Sequence, residues 1–206
     1  MTDKVLIKSL RSPLRLSLAG GGTDVEPFAS QFGGKVLNFA INLFVEVRIY
    51  SDSAQQANIK VEILDKYQNL ERDSEFTTRI EKYVEKNWKF ESSTLIRIFN
   101  PVRRNSGLGT SSSMIAGLID GLVKLTNMRL SKNELAVKAY SAERLEMGIP
   151  GGFQDYFPSI YGGMNWVEQK QNQFAWDVSE IKLQKRMEDL FGDQLVCVEL
   201  DVNREG

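Results

Sequence analysis

Histidine is absent from all 206 residues. Catalysis by Ser-His-Asp or Cys-His sets is therefore excluded, and so is zinc held by imidazole. A single cysteine, Cys197, allows no internal disulfide and no four-cysteine zinc or iron–sulfur site, and it suits a reducing cytoplasm. A dominant charge is missing too: 26 Lys and Arg stand against 27 Asp and Glu, a net charge of −1, so no bulk positive field draws nucleic acid or an anionic membrane. No segment approaches the ~20 consecutive apolar residues of a membrane helix. The opening MTDKVLIKSLRS has neither the apolar core nor the small-residue cleavage pattern of a signal peptide. The expectation is a soluble, cytoplasmic protein with small-molecule partners and no nucleic-acid or membrane partner. Its oligomeric state is not legible. Proton transfer must fall to Asp, Glu, Lys or Tyr, and hard cations must be held by oxygen ligands.

What is present describes an ordinary globular chain, 42% apolar and 26% charged. β-Branched and aromatic runs predict strands over Val5 to Leu10, Arg15 to Leu18, Val36 to Ala40, Phe44 to Tyr50, Ile59 to Leu64 and Thr94 to Phe99. Helical spacing predicts helices over Glu75 to Trp88 and Ser111 to Leu125. A third helix starts at Ser131, with Glu134 three residues on as a capping box, and runs to about Met147. After the loop Gly148 to Gly152 come a short helix, the pair Gly162-Gly163 and a strand, then a helix near Glu180 to Leu190 and a last strand, Gln194 to Leu200. The fold class expected is α+β: a largely antiparallel sheet with helices packed on one face. A chain ending just after that last strand reads either as a complete small domain or as one domain plus the start of another.

Three segments carry chemistry. PVRRNSGLGTSSS, Pro101 to Ser113, joins a strand to a helix. Gly107 and Gly109 let backbone N–H groups turn inward, and the helix start adds its free N–H groups and dipole. With Asn105, Ser106, Leu108, Thr110, Ser111 and Ser112, the loop suits a nucleoside triphosphate, the hydroxyls offering a hard ligand for Mg²⁺. It is not a Walker A loop, since no Gly-Lys-Ser/Thr follows. Serines at a helix start are also ordinary caps. Second, Glu143 shares a helical stripe with Ala136, Tyr140 and Met147. A carboxylate there is costly unless it meets a cation or a partner such as Arg144, or lies at the solvated edge; Glu146 is a rival. Asp155, after Gly151-Gly152-Phe153-Gln154, could be a helix N-cap or a base. Third, RSPLRLSLAGGGTDVEPF, Arg11 to Phe28, runs a strand into three glycines. It lacks the third glycine of a dinucleotide fingerprint. Gly21 and Gly22 permit close approach of a ligand, and Asp24 can accept bonds from sugar hydroxyls.

Pro-x₅-Gly-Leu-Gly-Thr-Ser-Ser-Ser resembles the second motif of the GHMP kinases, with Thr110 where the family usually has Ser. Gly-Gly-x-Gln-Asp followed by a Gly-Gly pair resembles the stretch that holds the base in sugar-specific members. Gly-Gly-Gly-Thr-Asp followed by FGGKVLNFAIN resembles the D-glycero-D-manno-heptose 7-phosphate kinases, with fucokinase-like enzymes as near relatives. The resemblance spans about Arg11 to Gly163 and implies a family fold and an ATP- and Mg²⁺-dependent sugar kinase acting on the anomeric hydroxyl. By resemblance Ser111 and Glu143 would hold Mg²⁺. Asp155 would be the base, Arg15 would stabilise the transferring phosphoryl group, and Gly21, Gly22, Thr23, Asp24, Gly151 and Gly152 would meet the sugar. It implies a division into residues 1–190, an ATP-binding N-terminal domain, and 191–206, the beginning of a C-terminal domain that elsewhere carries a third glycine-rich motif. A non-catalytic sugar- or nucleotide-binding relative is the alternative from another class.

Overall fold

The computed structural model describes residues 4–52, 58–70, 74–126, 128–172, 175–194 and 196. Six strands form one sheet: β1 (Val5–Ala19), β2 (Gly34–Asp52), β3 (Ile59–Leu64), β4 (Ser93–Phe99), β5 (Met164–Gln169) and β6 (Trp176–Ile181). The spine is β2. One edge pairs antiparallel with β1 along nearly its whole length. The other edge is shared, β5 lying against Gly34 to Phe39 and β4 against Glu46 to Asp52. Only the β3–β4 pair is parallel among the described strands, so the sheet is largely antiparallel, as expected.

Two expected strand pairs are each one long strand. The gap left around Arg11 to Leu14 is bridged by an irregular ladder: Pro13 opposes Phe44 while Arg15 opposes Ala40. Proline gives no N–H, so the ladder bulges there instead of ending. The bulge also buries Leu14 completely. Past it, Val45, Val47 and Ile49 of β2 face the core, while Phe44, Glu46, Arg48 and Tyr50 stay half-buried on the open face. That period-2 alternation is what one covered face requires.

The covering layer holds α2 (Ser74–Asn87), α3 (Thr110–Leu125), α4 (Lys132–Tyr140) and α5 (Tyr156–Tyr161), with a short α1 (Phe28–Phe32) beside β2. Helix α3 is buried almost all round because it lies on β1 and β2 with α4 and α5 on its flanks. Ser131 caps α4 through the reciprocal bonds with Glu134 that the sequence predicts.

Two expectations change. The helix expected to reach Met147 is α-helical only to Tyr140 and then π-helical over Ser141–Glu146, with Met147 N–H donating to Ala142 O. The helix expected near Glu180 begins later. Trp176–Ile181 is strand β6, with Trp176 buried against Tyr140, Phe153 and Phe157. Helix α6 then spans Lys185–Gln194 and so crosses residue 190. Period-2 burial of Trp176 outweighs the helix-forming Glu and Lys of that stretch. The strand expected over Gln194 to Leu200 lies, past Gln194, almost wholly outside the described residues. Among the described residues no helix is long and apolar enough to cross a membrane.

Candidate active site

The loop between β4 and α3 reaches its helix through Gly109, which sits in the left-handed region at φ 70° and stands as N-cap of α3. A Cβ added to Gly109 would lie 3.1 Å from Arg15 Cγ and 3.4 Å from Asp155 Cγ, so the loop presses directly on those two side chains. Strand β1 carries Arg15, whose backbone N–H donates to Leu108 O. Its guanidinium donates to Asp155 Oδ1 at 2.6 Å and to Gly107 O at 2.7 Å. Only 12% and 17% of the Arg15 and Asp155 side chains are exposed. Asp155 occupies the N-cap position of α5, yet its side chain makes no capping bond; the ion pair takes it instead.

The four hydroxyls after Gly109 divide by function. Ser113 is fully buried and donates to Ser12 O and Pro13 O, tying α3 to β1. Thr110 pairs with Ser106. Ser112 receives a bond from Arg144. Ser111 alone of the four turns to the metal candidate, donating to Glu143 Oε1 at 2.5 Å. Asn105, at φ 63°, makes the turn that brings Ser106 to Thr110.

Glu143 is fully buried. Tyr156 OH donates to its Oε2 at 2.7 Å, and Arg144 Nη1 lies 3.4 Å from its Oε1. Burial pushes the Tyr156 phenol well above its ordinary range and the Glu143 charge pushes it further, so it stays a donor. A buried carboxylate beside a serine hydroxyl is a hard oxygen set that fits Mg²⁺, which takes few protein ligands and fills the rest with water and phosphate. Among the described residues no group of three or more Cys, Asp or Glu gathers, so an all-protein cage is not formed there. Glu146 points elsewhere, to Lys86 and Asn87 of α2, and is no rival.

On the other side, Gly22 N–H and Gln154 N–H donate to Asp24, which is 2% exposed. Burial raises the Asp24 carboxyl, opposed by the Gln154 N–H and reinforced by the charge of Asp155. Thr23 closes the turn, its hydroxyl donating to Gly20 O and accepting from Lys35 N–H. Gly152 must be glycine, because a Cβ would sit 1.8 Å from Asp24 Oδ2. Gly21 faces Gln154 and Ser17, and Gly22 faces open space. Asn38 on β2 donates to Gln154 O at 2.9 Å and so fixes the backbone just before Asp155. The structure thus gathers Arg15, Ser111, Glu143 and Asp155 around the loop Gly107 to Ser111, with Asp24 held beside Gly152 and Gln154 on the approach to Asp155. Sequence reasoning missed Tyr156 and Asn38 and saw Arg144 only as a possible partner of Glu143. Their places beside Asp155, in a motif and beside Glu143 were the only local signals.

Residues 75–163 match the family model described as GHMP kinases N terminal domain. It is 31% identical over 180 residues to the D-glycero-alpha-D-manno-heptose 7-phosphate kinase of Campylobacter jejuni, covering 81% of this chain and 52% of that protein. It is 28% identical over 177 residues to the bifunctional fucokinase/GDP-fucose pyrophosphorylase of Arabidopsis thaliana, covering 75% of this chain and 16% of that one. Among solved structures it resembles a D-glycero-D-manno-heptose 1-phosphate kinase from Bacteroides thetaiotaomicron, with a TM-score of 0.73 and 29% identity over 88% of this chain and 62% of that chain. The chain therefore spans about half the length of the heptose kinase it matches.

Proposed function

We propose that this chain carries the catalytic centre of a sugar kinase that moves the γ-phosphoryl group of MgATP to the anomeric hydroxyl of D-glycero-D-manno-heptose 7-phosphate, giving the 1,7-bisphosphate and ADP. The observation that carries the reading is the contact of Arg15 with both Asp155 and Gly107, which sets a base, a cation and a phosphate-binding loop side by side. The family-model match over residues 75–163 and the similarity to heptose kinases support it.

The backbone N–H groups of Gly107 to Ser111 and the start of α3 hold the triphosphate. Bound Mg²⁺ would neutralise β- and γ-phosphate oxygens, with Ser111 and Glu143 as its protein ligands. Gly21, Gly22 and Asp24 receive the sugar, its anomeric hydroxyl directed at Asp155. As that oxygen bonds to the γ-phosphorus and the bond to the β-bridging oxygen breaks, Asp155 accepts the hydroxyl proton and ADP leaves with the bridging electron pair. Arg15 then lies beside the charge that develops on the transferring group. Positioning and electrostatics supply most of the acceleration, since the protein forms no covalent bond.

The test is a substrate panel on the full-length protein with MgATP: heptose 7-phosphate, unphosphorylated heptose, L-fucose and galactose, each followed by ADP release and product mass. Turnover selective for heptose 7-phosphate supports the reading. Selective turnover of L-fucose would favour the fucokinase-like alternative, which the similarity to the plant enzyme supports. Nucleotide binding without turnover of any sugar would favour a non-catalytic relative.

A further inference from the structure

Arg144 touches both halves of this site. Its side chain is 9% exposed. Nη2 donates to Ser112 Oγ at 2.9 Å, on the first turn of α3. Nη1 donates to Pro150 O at 2.9 Å and Ile149 O at 3.2 Å, in the loop that leads to Gly152 and Asp155. The same nitrogen lies 3.4 Å from Glu143 Oε1. The guanidinium also sits over the ring of Tyr156, whose hydroxyl holds the other Glu143 oxygen. It lies flat against Gly151: a Cβ there would stand 2.5 Å from Arg144 Cζ and 2.6 Å from Nη2. Loop 148–152 is thus shaped around this one cation, and its next glycine packs on Asp24.

We propose that Arg144 is a positioning residue that couples the cation-binding pair Ser111–Glu143 to the acceptor-side loop 148–152. The inference rests on the functional reading above. A planar fork with several donors in fixed geometry can hold Ser112, two carbonyls and a carboxylate at once; a lysine cannot. The attraction between Arg144 and Glu143 is strong because both are shielded from water. When Mg²⁺ with nucleotide neutralises Glu143, that attraction falls. The guanidinium is then left to the Ile149 and Pro150 carbonyls and Ser112, and the loop tightens. Filling the donor half thereby orders the acceptor half.

The experiment uses the full chain, MgCl₂ and a non-hydrolysable ATP analogue with an imido bridge. It reads Mg²⁺ affinity at saturating analogue by calorimetry and amide hydrogen exchange over residues 148–154. In the wild type, adding Mg²⁺ with the analogue slows exchange in the loop. Arg144→Met removes the fork and the cation that competes with Mg²⁺ for Glu143, so Mg²⁺ binds about tenfold more tightly and the loop no longer responds. Arg144→Lys keeps the charge, so Mg²⁺ affinity stays within about threefold of wild type, but the loop response is lost. Ser112→Ala removes one acceptor of the fork with little threat to folding and diminishes the loop response, which covers the case of an Arg144 variant that does not fold. A loop response of wild-type size in either Arg144 variant, or in Ser112→Ala if neither folds, overturns the inference. So does an Arg144→Met chain that merely melts earlier with Mg²⁺ affinity unchanged. A wild-type chain that takes up no magnesium–nucleotide overturns the kinase reading itself, a result that cannot be confused with responsive wild type beside unaltered variants.

Discussion

The open face of the sheet and the cleft at the start of α3 both pair arginines with carboxylates, the cleft distances falling on either side of those on the open face. On the open face Arg48 meets Glu46 at 2.8 Å and Arg97 meets Glu62 at 2.8 Å, with Arg48 also over the ring of Phe99. In the cleft Arg15 meets Asp155 at 2.5 Å and Arg144 stands 3.4 Å from Glu143. Distance does not separate these regions; water does. Arg48 and Glu46 are 38% and 29% exposed, whereas Glu143 is not exposed at all. Exposed pairs are screened and contribute little, while a buried charge must have every partner in place. In the cleft those partners are backbone atoms of loops far apart in the chain, such as Gly107 O for Arg15 and Pro150 O for Arg144. The cleft holds charges in geometry; the open face only decorates a surface.

The sharpest way to break this contrast is Asp155→Asn in the full-length enzyme. Shape survives, but the proposed proton acceptor and its charge are gone, so kcat is expected to fall roughly 10²–10⁴-fold while sugar affinity changes little. Measured side by side, near-normal kcat would reduce Asp155 to a partner of Arg15. Gly152→Ala comes next. The added methyl collides with Asp24 Oδ2, and destabilisation of about 1–3 kcal/mol is expected in chemical denaturation, with a raised acceptor KM.

Asp24 gives a smaller, pH-dependent effect. Its folded-state pKa is raised above 3.8, chiefly by burial, with the Gln154 N–H opposing and Asp155 adding to it. The native state thus holds this proton more tightly than the unfolded chain does. That contribution to stability is complete below the ordinary aspartate value and is lost as pH rises through the raised one. Asp24→Asn, which cannot ionise, should gain on the wild type as pH climbs from about 3 to 7. A stability difference flat across that range would remove the burial argument. The smallest effect belongs to the open face. Arg48→Ala should cost under about 1 kcal/mol, less at high salt, and leave kcat unchanged. A loss as large as that of Gly152→Ala would erase the distinction between the two regions.

Much of the site was legible because its chemistry is local. Gly107 and Gly109 before a hydroxyl run mark a loop feeding a helix, and Glu143 stands out on a stripe with Ala136 and Tyr140. Less was legible where the chain chose among equal local options. Pro13 looks like a strand end, yet the ladder bulges and continues. Ser111, Ser112 and Ser113 are indistinguishable as residues, yet one meets Glu143, one meets Arg144 and one meets β1.

By itself, then, the sequence determined the α+β class, the glycine- and hydroxyl-rich loop that feeds α3 and the residue types that could carry charge and protons, because periodicity, turn chemistry and the lack of histidine act within a few residues. Only the tertiary structure decided which of those groups meet. Arg15 and Asp155 are 140 residues apart, and Asn38 and Gln154 are 116 apart. The π turn that sets Glu143 and Arg144 inward follows from i→i+5 bonding under packing. The burial that makes a carboxylate a site exists only once sheet and helices have closed over it.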